Sequence, residues 1–221
     1  MKSQFFTKKY ALIVANGDSP ERGLLKQIAD KSDFIVAADG GGNALAKQGL
    51  TPDLILGDMD SLRPDVLSGF EAKNVDIRPV ESQQENDLEK GIRYLIDQGY
   101  RTIVLTAVYG DRMDHTFATL ELLKKFKSQV NIYIITDTFE IFRIQPGRHK
   151  IQTEKNAIFS IFGFSRGYDI ETENLKYPLK GENLFEGSRG VSNRSLSDSV
   201  FISFTRGNLL IFRSLRSDGT N

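Results

Sequence analysis

Residues 102–115 read Thr102-Ile103-Val104-Leu105-Thr106-Ala107-Val108-Tyr109-Gly110-Asp111-Arg112-Met113-Asp114-His115. The first seven are β-branched or apolar almost throughout, with no polar alternation, which is the pattern of a strand covered on both faces. The run then breaks at a glycine followed by aspartates, and a helical pattern takes over at 116–127. A buried strand, an acidic turn and a helix in that order make one unit of a parallel α/β sheet.

The same unit recurs upstream. Residues 10–15 read as a strand, followed by a loop at Asn16-Gly17 and a helix over 20–31. A strand at 34–38 leads into a helix that begins near Gly42, a strand at 54–56 into a helix over 64–72, and 76–80 supplies a fourth strand. Leu88, Ile92, Leu95 and Ile96 have helical spacing and predict a helix over 86–98. A last strand falls at 130–136. This alternation predicts an α/β fold, a doubly wound and mostly parallel sheet with helices on both faces. Beyond Pro146-Gly147 only short β-like runs remain, at 150–153, 157–163, 168–171, 200–205 and 209–212. Turn-rich stretches at 180–183 and 187–193 separate them, and Arg206-Gly207-Asn208 reads as a tight hairpin connection. The expectation is an α/β domain over 1–144 and a small antiparallel β-sandwich domain over 145–221, with a frayed polar end at 216–221.

Composition narrows the chemistry. With 221 residues, 39% hydrophobic and 26% charged, the chain has the make-up of an ordinary globular protein. Lys+Arg and Asp+Glu both number 29, which argues against a strongly basic nucleic-acid binder and gives no sign of attraction to a membrane. The absence of cysteine excludes disulfides, thiolate catalysis and cysteine zinc sites, and two histidines, His115 and His149, are too few for a multi-histidine metal centre. Any metal therefore sits on oxygen ligands, which suits Mg²⁺, Mn²⁺ or Ca²⁺. Lys8-Lys9 interrupts the start before a signal-peptide core forms, and no apolar run reaches membrane-spanning length, so the expected location is the cytoplasm.

In an open parallel sheet, ligands bind beyond the carboxyl ends of the strands. Here those ends carry Asp39, then Asp58-Met59-Asp60, then Asp111 and Asp114, while Asp87 opens the helix after the fourth strand. One aspartate after a strand reads as a helix cap or an Asx turn. Four such places on one rim read as a site, because neighbouring carboxylates need a countercharge and a divalent cation supplies it. Gly40-Gly41-Gly42 lets backbone approach a phosphate or simply makes a tight turn. Arg112 lies among the acids, as a phosphate contact or as the salt-bridge partner of Asp111 or Asp114. Neither a Rossmann fingerprint nor a P-loop is present.

Taken together, these segments resemble the thiamine pyrophosphokinase family over nearly the whole chain. The matching stretches are Ala15-Asn16-Gly17, Ala38-Asp39-Gly40-Gly41, Pro52-Asp53, Gly57-Asp58-Met59-Asp60-Ser61, Asp87-Leu88-Glu89-Lys90, Gly110-Asp111-Arg112-Met113-Asp114-His115 and Ser192-Asn193. The resemblance implies transfer of a pyrophosphoryl group from ATP to thiamine, giving thiamine diphosphate and AMP. It implies a homodimer with active sites at the interface, and no nucleic-acid or membrane partner. Asn16, Gly17, Asp39, Gly40 and Gly41 would hold ATP, and Asp58, Asp60 and Asp87 would hold Mg²⁺. Asp114 would complete the acids, Arg112 would contact phosphate, and Ser192 and Asn193, contributed by the second copy of the dimer, would border thiamine. The family often has Lys-Asp-x-Thr-Asp where this chain has Gln83-Gln84-Glu85-Asn86-Asp87, and only the last acid is retained. Three other readings stay open: a pyrophosphokinase for another small alcohol such as a pterin, a metal-dependent nucleotide-sugar glycosyltransferase, and a non-catalytic thiamine or nucleotide sensor.

Overall fold

A computed structural model describes residues 9–80 and 85–216. The sequence readings that fall on 1–8, on Gln83-Gln84 and on 217–221 lie outside the described residues. The chain divides into two compact units, the first ending at Asp137 and the second beginning at Thr138.

In the first unit, strands β1 (Ala11–Val14), β2 (Phe34–Ala38), β3 (Leu54–Gly57), β4 (Asp76–Pro79), β5 (Thr102–Thr106) and β6 (Asn131–Ile135) alternate with helices α1 (Arg22–Ala29), α2 (Gly41–Lys47), α3 (Pro64–Glu71), α4 (Asp87–Asp97) and α5 (Met113–Lys125). The strands pair in parallel in the order β4-β3-β2-β1-β5-β6. Every residue of β1, β3 and β5 is buried, which is why these strands read as unbroken apolar runs. Order reverses at β1, whose neighbours are β2 and β5. Right-handed crossovers then put α1, α2 and α3 on one face and α4 and α5 on the other. An ion pair between Glu89 of α4 and Lys125 of α5 joins the latter two.

Helix α4 repeats the spacing seen in the sequence: Leu88, Ile92 and Leu95 are buried, and Gly91 lets the helix approach Ile13 and Val36. Asn86 caps it, its Oδ1 accepting the Glu89 N–H at 2.8 Å. Helix α5 starts at Met113, three residues before the sequence pattern, so Asp114 and His115 lie in its first turn.

The second unit is antiparallel. It comprises β7 (Phe139–Ile144), β8 (Gly147–Gln152), β9 (Ile158–Glu173), β10 (Lys180–Leu184), β11 (Asn193–Arg194), β12 (Ser199–Phe204) and β13 (Arg206–Ser214). The strand order is β7-β13-β9-β12-β8, with β10 and β11 also paired to β9. Three expectations change here. Residues 139–144 are a strand of this unit, because β7 pairs with β13 from Ile144↔Leu209 to Phe139↔Ser214. Residues 180–183, read as a turn, belong to β10, whose pairing with β9 is bulged. Arg206-Gly207-Asn208 is no hairpin: β12 and β13 follow one another along the same edge of β9 in one register, from Phe201↔Glu173 to Gly207↔Gly167, and Gly207 (φ +98°) adjoins a register shift within β13.

Candidate active site

The carboxyl ends of β1, β2, β3 and β5 open into one crevice of about 640 Å³. Its floor is a seam between two loops: the Gly17 N–H donates to the Ala107 carbonyl and the Asp18 N–H to the Tyr109 carbonyl, each at 2.7 Å. Any side chain at Gly17 would meet the Tyr109 carbonyl at 2.3 Å, so the seam can form only with glycine there. Three non-glycine residues at these strand ends have positive φ, namely Asp39 (44°), Met59 (66°) and Ala107 (55°). Such strain persists only where the surrounding structure over-determines it, and it gathers at ligand sites.

Asp39, Asp58 and Asp87 converge, each offering a carboxylate oxygen within 4.8 Å of the others. Asp39 is buried, its Oδ1 accepting from the Ser61 N–H, while Asp58 is exposed and its Oδ1 accepts from the Asp60 N–H. Asp87 is the first residue of α4 and accepts from the Lys90 ammonium at 2.9 Å. Asp60 lines the same crevice but is not one of the three; its Oδ1 accepts from the Ser61 hydroxyl. The positive φ of Met59 turns the chain between Asp58 and Asp60, and the trio whose oxygens lie within 4.8 Å of one another includes Asp58 and not Asp60. The donor set is all oxygen and all anionic at this point, which fits a hard cation such as Mg²⁺.

Arg112 and Asp114 form a two-point pair, Nε to Oδ1 at 2.9 Å and Nη2 to Oδ2 at 2.7 Å. This guanidinium holds the Asp114 carboxyl well below the usual carboxylate range, with the His115 N–H assisting. Asp114 is therefore a fixed negative charge and a poor proton acceptor. Nη1 of Arg112 is left to reach another anion. Asp111, Arg112 and His115 line the crevice, and Asp114 does not.

Asn16 is exposed in the crevice and backs onto Gly40, where a Cβ would meet its side chain at 2.2 Å. A Cβ at Gly41 would meet the Val14 carbonyl at 1.9 Å; both glycines are buried and absent from the lining, so they seat α2 against β1. In the second unit, Ser192 is exposed with φ 56°. Asn193 is buried, its Oδ1 accepting from the Tyr177 and Arg194 N–H groups and its Nδ2 donating to the Tyr177 carbonyl. Asn193 shapes the turn that presents Ser192.

Sequence reasoning passed over Asp18, Asn86 and Tyr109, which also line the crevice. Burial, then Asp137 and Asp18, push the Tyr109 phenol upward, so it stays a neutral hydroxyl. Asn86 was legible: Asn-x-x-Glu before an apolar run is a cap signature. Glu85, at the edge where the family often has an acid, is instead bound through both oxygens to Arg93 Nε at 2.8 and 2.9 Å. Asn86→Ala is expected to cost about 1 kcal/mol in urea unfolding. Turnover should fall with it, because Asp87 is the next residue, whereas Asn86→Asp should restore both.

The fold and the rim define a class: a parallel α/β unit with an acidic, all-oxygen crevice at its strand ends, followed by an antiparallel β unit. Two family models match in chain order, the thiamin pyrophosphokinase catalytic domain over residues 25–134 and the thiamin pyrophosphokinase vitamin B1 binding domain over 148–209. The chain belongs to the thiamin pyrophosphokinase family. It is 27% identical over 165 residues to thiamine pyrophosphokinase 2 of Oryza sativa subsp. japonica, covering 65% of this chain and 60% of that protein. With thiamine pyrophosphokinase 2 of Arabidopsis thaliana it shares 26% identity over 237 residues, covering 96% of this chain and 88% of the relative. The match thus spans 60% of the length of the rice relative and most of the Arabidopsis one. The crystal structure of thiamin pyrophosphokinase from Geobacillus thermodenitrificans superposes with a TM-score of 0.82 at 27% identity, covering 96% of this chain and 100% of that one. The Bacillus subtilis structure shares the fold with a TM-score of 0.85 at 23% identity, over 93% and 99% of the two chains.

Proposed function

We propose that this protein transfers a pyrophosphoryl group from ATP to the hydroxyl of thiamine, yielding thiamine diphosphate and AMP. The observation that carries the reading is the carboxylate trio in the unit matched by the catalytic family model. Asp39, Asp58 and Asp87 would hold Mg²⁺, with Asp60 beside them in the crevice. When bound, the ion neutralises charge on the ATP phosphates and polarises the phosphorus under attack.

The thiamine oxygen bonds to the β-phosphorus, the bond from that phosphorus to the oxygen bridging it to the α-phosphate breaks, and AMP leaves with the electron pair. The hydroxyl proton passes to a carboxylate lining the crevice and not to Asp114, which Arg112 keeps ionised. Arg112 meets phosphate oxygens through Nη1, and Asn16 and Gly17 line the nucleotide side, supported by Gly40 and Gly41. Asp114 stays anionic and suits the cationic thiamine ring. Ser192, on the turn held by Asn193, borders thiamine in the unit matched by the vitamin B1 binding model. Most of the rate enhancement comes from positioning and charge neutralisation.

The protein acts as a homodimer with active sites at the interface. Met113 and Phe117 favour this, standing one turn apart on α5 at 70% and 64% exposure beside the crevice, a costly apolar pair to leave in water. A cytoplasmic location fits the lack of cysteine, and no helix of the described residues is long and apolar enough to cross a membrane.

Incubation with ATP, Mg²⁺ and thiamine is expected to give equal amounts of thiamine diphosphate and AMP by mass detection. Untouched thiamine alongside pyrophosphorylation of a pterin alcohol would move the substrate assignment. A free nucleoside diphosphate with a glycoside would replace the reaction class.

A further inference from the structure

Lys90 lies one turn into α4, and its ammonium donates to Asp87 Oδ1 at 2.9 Å and to the Val80 carbonyl at 3.2 Å. The Val80 N–H in turn donates to the Gly57 carbonyl at the end of β3, next to Asp58. One cation thus braces α4 against the strand ends that carry the acids. Its side chain is 12% exposed, against 70% for Arg112. A lysine covered to this degree is costly unless its charge is compensated where it sits. Among the described residues, Lys90 is the one cation ion-paired with the trio.

We propose that Lys90 is a positioning residue that sets both the orientation of Asp87 and the charge of the trio. The inference rests on the trio being the cation site. Three carboxylates and one ammonium sum to a charge of −2, which a single divalent cation neutralises. Without Lys90 the trio carries −3 and grips a cation in the absence of nucleotide. With it, the resting site holds a cation loosely, and the metal enters and leaves with the phosphates that complete its coordination. The ammonium also occupies one oxygen of Asp87, leaving the other for the metal.

The test is Mn²⁺ titration of the nucleotide-free protein, followed by electron paramagnetic resonance, on wild type, Lys90→Met, Lys90→Arg and Asp58→Asn. Removing a unit charge roughly 6 Å from a dication should tighten Mn²⁺ binding about tenfold in Lys90→Met even at water-like screening. Lys90→Arg keeps the charge and should stay within about twofold of wild type. Unchanged or weaker Mn²⁺ binding in folded Lys90→Met overturns the role of Lys90, and so does Lys90→Arg tightening as much as Lys90→Met. Mn²⁺ binding that Asp58→Asn leaves intact overturns the cation site itself, a separate result. Should Lys90→Met fail to fold, Lys90→Gln carries the same expectation, since it keeps donors toward Asp87 and Val80 while removing the charge.

Discussion

Asp58→Asn is expected to lower AMP formation by at least about a hundredfold at saturating ATP, Mg²⁺ and thiamine, with the fold intact. Asp39→Asn and Asp87→Asn should fall into the same range, since all three offer an oxygen to the same point. The amide is isosteric and neutral, so it keeps one oxygen but removes the charge that offsets a divalent ion. Asp60→Asn should lose only about tenfold, because Asp60 lies outside the trio and accepts from Ser61. The ordering is the informative part. Steady-state AMP release on folded variants decides it: a severe Asp60→Asn defect with a mild Asp39→Asn one would return the cation to the Asp-x-Asp pair.

That ordering differs from what spacing alone implies, and the difference has a physical origin. Asp-x-Asp points two carboxylates to one side where the intervening backbone is extended. Met59 at φ 66° is not, and nothing in its side chain announces a left-handed backbone. Asp39 joins the trio for the converse reason. Its φ of 44° and its burial at the end of β2 come from the Asp39 N–H donating to the Leu56 carbonyl and Ser61 donating back to its carboxylate. Both are tertiary contacts. The rim itself was legible, because doubly buried strands are unbroken apolar runs and their ends are where ligands gather.

The antiparallel unit was less legible because its charges do not behave as surface charges. Residues 139–144 carry Glu140 and Arg143, which discourage reading a core strand. Yet Glu140 is 2% exposed and pairs with buried Arg213 across the β7–β13 ladder, whose register sets Glu140 opposite Arg213. A buried ion pair needs both partners, and they lie 73 residues apart. The change of unit consequently falls after Asp137 rather than after 144. Lys180–Leu184 misled in the same way: its Gly and Asn suit a turn, but a bulged edge strand tolerates both.

Gly57→Ala should damage the site by spreading the trio. Gly57 ends β3 at φ +154°, a region L-residues rarely enter, and its Cβ would lie 2.9 Å from Asp39 Cβ and 3.1 Å from Asp87 Cγ. The added methyl is thus driven between two members of the trio, and neither can yield cheaply. Asp39 is buried in a strained backbone, and Asp87 is fixed by Lys90 and the start of α4. Backbone strain of this kind costs about 1–3 kcal/mol, which urea unfolding should register. Activity should fall by much more than the stability loss implies, on the order of a hundredfold, because displacement of about 1 Å at a positioned site is that expensive. Mn²⁺ affinity should drop in parallel, separating a spread trio from a merely loosened domain. Gly69→Ala is the matched control: it lies within α3, its Cβ would meet nothing within 4 Å, and it should be neutral or raise stability by about 0.5–1 kcal/mol. If Gly57→Ala retained wild-type Mn²⁺ affinity and turnover while losing stability, the closeness of Asp39 and Asp87 would be irrelevant to the chemistry, and the trio would lose its role.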